Sequence, residues 1–187
     1  MGLTLDQEQL PGDVNTPSVA VCEPDAAGLW YVLHTRSRQE KALTRDLAAM
    51  GIRHYLPMLE QTRYYGRRKV LVDTPLFAGY VFLRGTIEQA YQADRTDRVA
   101  RLIAVADQDT LAWELENIQL ALSRRAPLDA YPYLRSGVRV EVRSGPFRGL
   151  QGRIDSRTRR NRLVVQIETL GQAAGLEIDG ALLEAID

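Results

Sequence analysis

The sequence predicts an α+β protein in two parts: strands interleaved with helices up to residue 123, then a small antiparallel β-barrel. Three observations carry this. Leu43, Leu47 and Met50 recur at helical spacing between two stretches that favour strands. Beyond residue 134 the hydrophobic period becomes two, with Val138, Val140 and Val142 alternating with Arg139, Glu141 and Arg143. Between the two regimes, "RRAPLDAYPYL" (124–134) has two prolines and no periodicity, and reads as a linker.

The elements follow in order. Residues 1–28 have little periodicity and read as a disordered acidic leader. "LWYVLHT" (29–35) is a strand, with Trp30 and Tyr31 supplying β-favouring bulk. Ser37-Arg38-Gln39-Glu40 has the form of a capping box for the helix over 37–50, and Gly51 fits its left-handed C-terminal cap. "IRHYLPMLE" (52–60) is a strand that Pro57 confines to the neighbourhood of an edge. Residues 63–75 form a hairpin or loop with a basic tip at Gly66-Arg67-Arg68-Lys69. Thr86 to Gln89 is a second capping box, opening a short helix that runs to about Asp94. A strand over 99–105 and a helix carrying Leu111, Leu115, Ile118 and Leu122 complete the first part, residues 29–123. In the second part, 135–187, Leu163, Val165 and Ile167 form another alternating row, and repeated glycines punctuate the strands as a small barrel requires.

Composition excludes several classes. A single cysteine, Cys22, leaves no disulfide framework and no cysteine-built metal site, and no apolar run reaches the length of a membrane span. A cytosolic protein is the default. With two histidines and no Gly-rich phosphate loop, an enzyme has little to work with, and no cofactor is implied. Net charge is zero but segregated. Residues 1–28 hold five acids and no Lys or Arg, whereas residues 135–162 hold nine Arg against Glu141 and Asp155. A second basic cluster spans 36–69, where Arg38, Lys41 and Arg45 form a stripe opposite the apolar face of the first helix. Such clusters suit polyanions, although interspersed arginine also simply solvates a surface.

"TPLFAGYVFL" (74–83) breaks the pattern expected of a strand covered on one side. Ala78, Tyr80 and Phe82 would point to one face, and Phe77, Gly79, Val81 and Leu83 to the other. Both rows are apolar, so both need cover, from the protein or from a partner.

Strand–helix–strand followed by "PLFAGYVFL" resembles the N-terminal domain of the NusG family of transcription elongation factors. "GVRVEVRSGPFRGLQGRI", with its intact G-P-F-x-G-x-x-G, resembles the KOW motif that follows it in those proteins. The resemblance spans residues 29–187. It implies an N-terminal antiparallel sheet flanked by helices and a KOW barrel of SH3-like form. It also implies docking on the clamp helices of the largest RNA polymerase subunit, through Phe77, Tyr80 and Phe82, with the small Ala78 and Gly79 allowing close approach. By the same resemblance, Arg36, Arg38 and Lys41 would contact phosphates of the non-template DNA strand, and His34 and Gln39 are the candidate base readers. Phe147, Leu150 and Leu170 would line the KOW contact with a small-subunit ribosomal protein or with Rho. Leu150 and Leu170 depart from the aromatics frequent in the general factor, which puts Rho in doubt. The sequence around "GRRKVLVDTPLF" looks closer to the specialised, RfaH-like antiterminators, one of which can fold its C-terminal domain as a helical hairpin. The glycines and valine alternation here favour strands instead. The loop "SRTRRNR" (156–162) would touch RNA or merely solubilise a hairpin tip. The expected protein is a monomer that uses no membrane. A ribosome-associated KOW protein is the alternative, one that would have no need of the aromatic strand.

Overall fold

The computed structural model describes residues 28–134, 137–155 and 161–186. Residues 1–27 of the expected leader (1–28), with Cys22, and most of the 156–162 loop lie outside them.

The first part centres on a four-stranded antiparallel sheet in the order β2-β5-β1-β6. Its strands are β1 (Leu29–Thr35), β2 (Arg53–Tyr55), β5 (Tyr80–Gly85) and β6 (Val99–Ala104). Alternation sends Tyr31, Leu33, Val81 and Leu83 to one face, where they pack with Leu43 and Leu47 of α1 (Glu40–Ala49) and Ala90 and Ala93 of α2 (Ile87–Asp94). Trp30, Val32 and Phe82 point to the opposite face, where Leu111, Leu115 and Ile118 of α3 (Gln108–Ser123) complete the cluster. Val81, Phe82 and Leu83 are therefore covered by the chain's own helices on both faces of the sheet. Pro57 splits the expected second strand in two, leaving β2 at the sheet edge and starting β3 (Met58–Tyr65), which pairs only with β4 (Arg68–Pro75).

The two capping predictions diverge. Thr86 and Gln89 form the reciprocal box, with the Gln89 amide donating to Thr86 and the Gln89 side chain accepting from the Thr86 amide. Ser37 does not cap α1. Arg38 takes a left-handed φ of 59°, the helix begins at Glu40, and the Glu40 carboxylate accepts from the Gly79 amide instead, at 2.7 Å.

Beyond α3 the chain forms a six-stranded antiparallel sheet in the order β12-β8-β9-β10-β11-β7. It comprises β7 (Asp129–Tyr131), β8 (Arg139–Val142), β9 (Gln151–Asp155), β10 (Arg162–Ile167), β11 (Gln172–Glu177) and β12 (Leu183–Ala185). The segment expected as a linker is thus partly a strand: β7 pairs with β11, and Ala126 and Leu128 are buried. Periodicity could not signal a three-residue strand between prolines. Gly152 is required where it stands, because a β-carbon there would lie 2.5 Å from the Val164 carbonyl oxygen of the neighbouring strand.

This second sheet packs on the outer side of α3. Trp113 Nε1 donates to Gln151 Oε1 at 3.1 Å, Asn117 Oδ1 accepts from the Gln151 amide at 2.9 Å, and Glu114 accepts from the Glu168 amide at 2.9 Å. One apolar cluster runs from Phe82 through Ile118 and Ala121 to Leu150 and Leu163.

Candidate functional site: a turn rimmed by aromatics beside a basic helix

The residues expected to dock a partner separate into buried and accessible groups. β4 ends at Pro75 and β5 starts at Tyr80, so Leu76–Gly79 is a turn and the face parity of a continuous strand does not carry across it. Gly79 holds φ +85°, a conformation that admits few other residues. Phe77 consequently joins Phe82 in one cluster, at 2% and 0% exposure, and neither offers a face to a partner. This corrects the expectation for both: they are core under α3. Ala78 is exposed at the crown of the turn, and Gly79 and Tyr80 are half-buried.

Tyr80 stacks on His34, their ring centroids 4.9 Å apart and their planes 23° from parallel. The His34 ring also lies against Gly79, 3.5 Å from where a β-carbon would stand. His34 therefore supports the turn. Tyr55, Leu59 and Leu76 are half-buried and pack on the same cluster as Tyr80, an apolar rim that sequence reading missed. No periodic signal could reveal it, since the three come from separate elements that meet only in the fold.

The basic side chains sit beside this rim. Arg36, Arg38, Lys41 and Arg45 are exposed along the start and outer face of α1. Lys41 Nζ donates to the Asp73 carbonyl at 2.8 Å, tying the helix to the base of β4. Gln39 is already engaged: its Oε1 accepts from Arg98 at 2.6 Å, while Arg98 also pairs with Asp46 at 2.5 Å.

In the second sheet Phe147 and Leu170 are half-buried, but Leu150 is fully buried. Its amide donates to the Phe147 carbonyl and its carbonyl accepts from Val142, which pins it inward at the entry to β9. Leu150 is corrected to core. Between α3 and this sheet lies a cleft of about 340 Å³ lined by Trp113, Glu114, Arg139 and Gln166, among others. Burial, helped by the charges of Glu168 and Asp107, raises the Glu114 pKa to about 7, against the opposing Glu168 amide and Arg153. Among the described residues no group of His, Cys, Asp and Glu is arranged to hold a metal, and no helix is long and apolar enough to cross a membrane.

An α+β domain with both sheet faces covered, a crown of small residues rimmed by aromatics, and a basic helix alongside has the make-up of a macromolecule-binding module. Residues 28–118 match the family described as "Transcription termination factor nusG", so this stretch of the chain carries a NusG-family domain. Proteins of this family are non-enzymatic factors of transcription elongation and termination, and they generally bind RNA polymerase. No curated protein matches the sequence closely.

Proposed function

We propose that this chain is a transcription elongation or antitermination factor that seats the Leu76–Tyr80 turn on the clamp helices of the largest RNA polymerase subunit. The observation that carries the reading is the exposed Ala78, flanked by the half-buried Tyr80–His34 stack, within the family-matched domain. A small residue at the crown lets helical backbone approach closely, and the rim of Tyr55, Leu59 and Leu76 supplies apolar area for it to cover. Arg36, Arg38 and Lys41 then face the non-template DNA strand and contact its phosphates, which positions the factor without reading sequence. His34 and Gln39 act chiefly as supports, since Tyr80 and Arg98 already engage them. The second sheet is the KOW module, whose Phe147 and Leu170 contact a small-subunit ribosomal protein or Rho.

The test is binding of core RNA polymerase by Ala78→Arg and, separately, Tyr80→Ala. Ala78→Arg places a long charged chain on an exposed turn, so the fold is preserved while close approach is blocked. Affinity is expected to fall by about tenfold or more, the equivalent of roughly 1.4 kcal/mol. Unchanged affinity in a variant whose circular dichroism matches the parent overturns the docking assignment.

A further inference from the structure

All 24 Lys and Arg lie beyond residue 28, and the 24 acids include the five of the leader, so the rest of the chain carries an excess of five positive charges that the leader balances. The fold decides where cations are left unpaired. In the second sheet Arg143 pairs with Glu184, Arg162 pairs with Asp129 and Glu177, and Arg139 lies over the Trp113 ring. Beside the first sheet the cations stand alone. Arg36, Arg38 and Lys41 are exposed, and so are Arg63, Arg67, Arg68 and Lys69 on the two-stranded ribbon of β3 and β4. None of them makes an ion pair among the described residues, and the acids Glu60 and Asp73 stand only at the ribbon base. The bond from Lys41 to the Asp73 carbonyl joins helix and ribbon into one basic face. That face also leaves apolar area in water. Tyr64 and Leu71, 69% and 58% exposed, share one side of the ribbon with Lys69.

We infer that residues 3–13 of the chain's own acidic leader seat on this face, with Leu3, Leu5 and Leu10 covering Tyr64 and Leu71 while Asp6, Glu8 and Asp13 meet the cations. The two sides match in pattern as well as in sign. "LTLDQEQL" (3–10) interleaves leucines with acids, and the ribbon interleaves exposed apolar side chains with Arg and Lys. The leader is also long enough. Trp30 and Arg53 both stand opposite Arg84 in register, so β2 lies two strand spacings, about 10 Å, from the start of β1. Tyr64 is eleven residues beyond Arg53, at most about 36 Å. Eighteen residues separate Leu10 from Gly28, which extended span about 60 Å. The tether then holds the acids near the ribbon at an effective concentration on the order of millimolar, which no free partner matches without strong affinity. Seated there, the acids lower the positive potential that Arg36, Arg38 and Lys41 present to a DNA strand, so the leader competes with nucleic acid. That consequence rests on the function proposed above; the seat itself does not.

The experiment uses the full chain without polymerase. Its lysines are Lys41 and Lys69 alone, so a zero-length carbodiimide can join a carboxyl only to these two or to the amino terminus. At about 50 mM salt, where surface charges are little screened, mass spectrometry should find amide links from Asp6, Glu8 or Asp13 to Lys69 or Lys41 within single chains. Leu3→Ser combined with Leu5→Ser and Leu10→Ser keeps every charge, and should lower the yield about fivefold because the apolar contact is lost. Tyr64→Ser with Leu71→Ser should do the same, with circular dichroism matching the parent. No links in the parent, links only between two chains, or yields that neither variant changes would each overturn the inference. Fluorescence anisotropy with a short DNA single strand reads the consequence. The leucine variant should bind it about three- to tenfold more tightly than the parent at low salt, and the gap should close toward about 200 mM as the charges are screened. Links that respond as expected, with no change in strand affinity, would uphold the seat and overturn the strand contact proposed for α1.

Discussion

Glu114 is a carboxyl placed where its charge is unwelcome, between α3 and the second sheet, with Oε2 buried and without a hydrogen-bond partner. Its folded pKa, raised from 4.5 to about 7, lies above the unfolded value. The folded state therefore holds a proton that the unfolded chain has released. The associated stability is fully present below pH 4.5 and is lost as pH rises through about 7. Denaturant midpoints measured across that window should fall with rising pH. Glu114→Gln, which keeps the shape without the charge, should remove that component and be the more stable chain above pH 7. An equal decline in both would show that Glu114 is not its source. At the same scale, Phe82 and Tyr80 differ in kind despite their spacing. Phe82→Ala should cost about 3–5 kcal/mol because it empties a site of 0% exposure. Tyr80→Ala should cost about 1 kcal/mol, as for a half-buried position. Urea denaturation distinguishes them. "YVF" marks both as strand aromatics; which one α3 covers is settled by a helix almost 30 positions further along the chain.

Elements hold their places through contacts of unequal legibility. α2 begins where its capping box lies, since both partners are local. α1 does not, since Glu40 finds the Gly79 amide 39 positions away and leaves Ser37 in the preceding turn. Glu40→Ala should accordingly loosen Leu76–Gly79 more than it frays the helix, and amide exchange at Gly79 should quicken before that of Leu43. In the second sheet, Gly152→Ala drives a β-carbon into the Val164 carbonyl, a backbone atom with little room to give. It should destabilise that sheet by about 1–3 kcal/mol, read as a lowered thermal midpoint, with secondary structure retained below it. The glycine spacing was visible in the sequence, but the strand that presses on this one glycine was not.

For the molecule as a whole, α3 serves two sheets. Leu111, Leu115 and Ile118 face the first, while Trp113, Glu114 and Asn117 bind the second, and Arg124 donates to the Arg148 carbonyl near the helix end. The connection between the parts also contributes β7, which pairs with β11. A fragment starting at residue 135 lacks that strand and exposes the β11 edge. A fragment starting at residue 125 keeps it, and its denaturant midpoint should be clearly higher. Equal midpoints would mean that β7 adds nothing to the sheet.

Legible in the chain alone are the α+β class, the position of most helices and strands, the change of period near residue 134, and the basic ribbon tip. All of these rest on local spacing, turn residues or charge, which a linear chain displays directly. Only the fold shows that Phe77, Val81, Phe82 and Leu83 are covered from within while Ala78 stays exposed. It also turned Phe77, Phe82 and Leu150 inward, assembled Tyr55, Leu59, Leu76 and Tyr80 into one rim, and made part of the linker a strand. The physical reason is common to these cases. Burial depends on which distant surface arrives to exclude water, and the spacing of residues along a strand sets which side each one faces without saying what will meet it there.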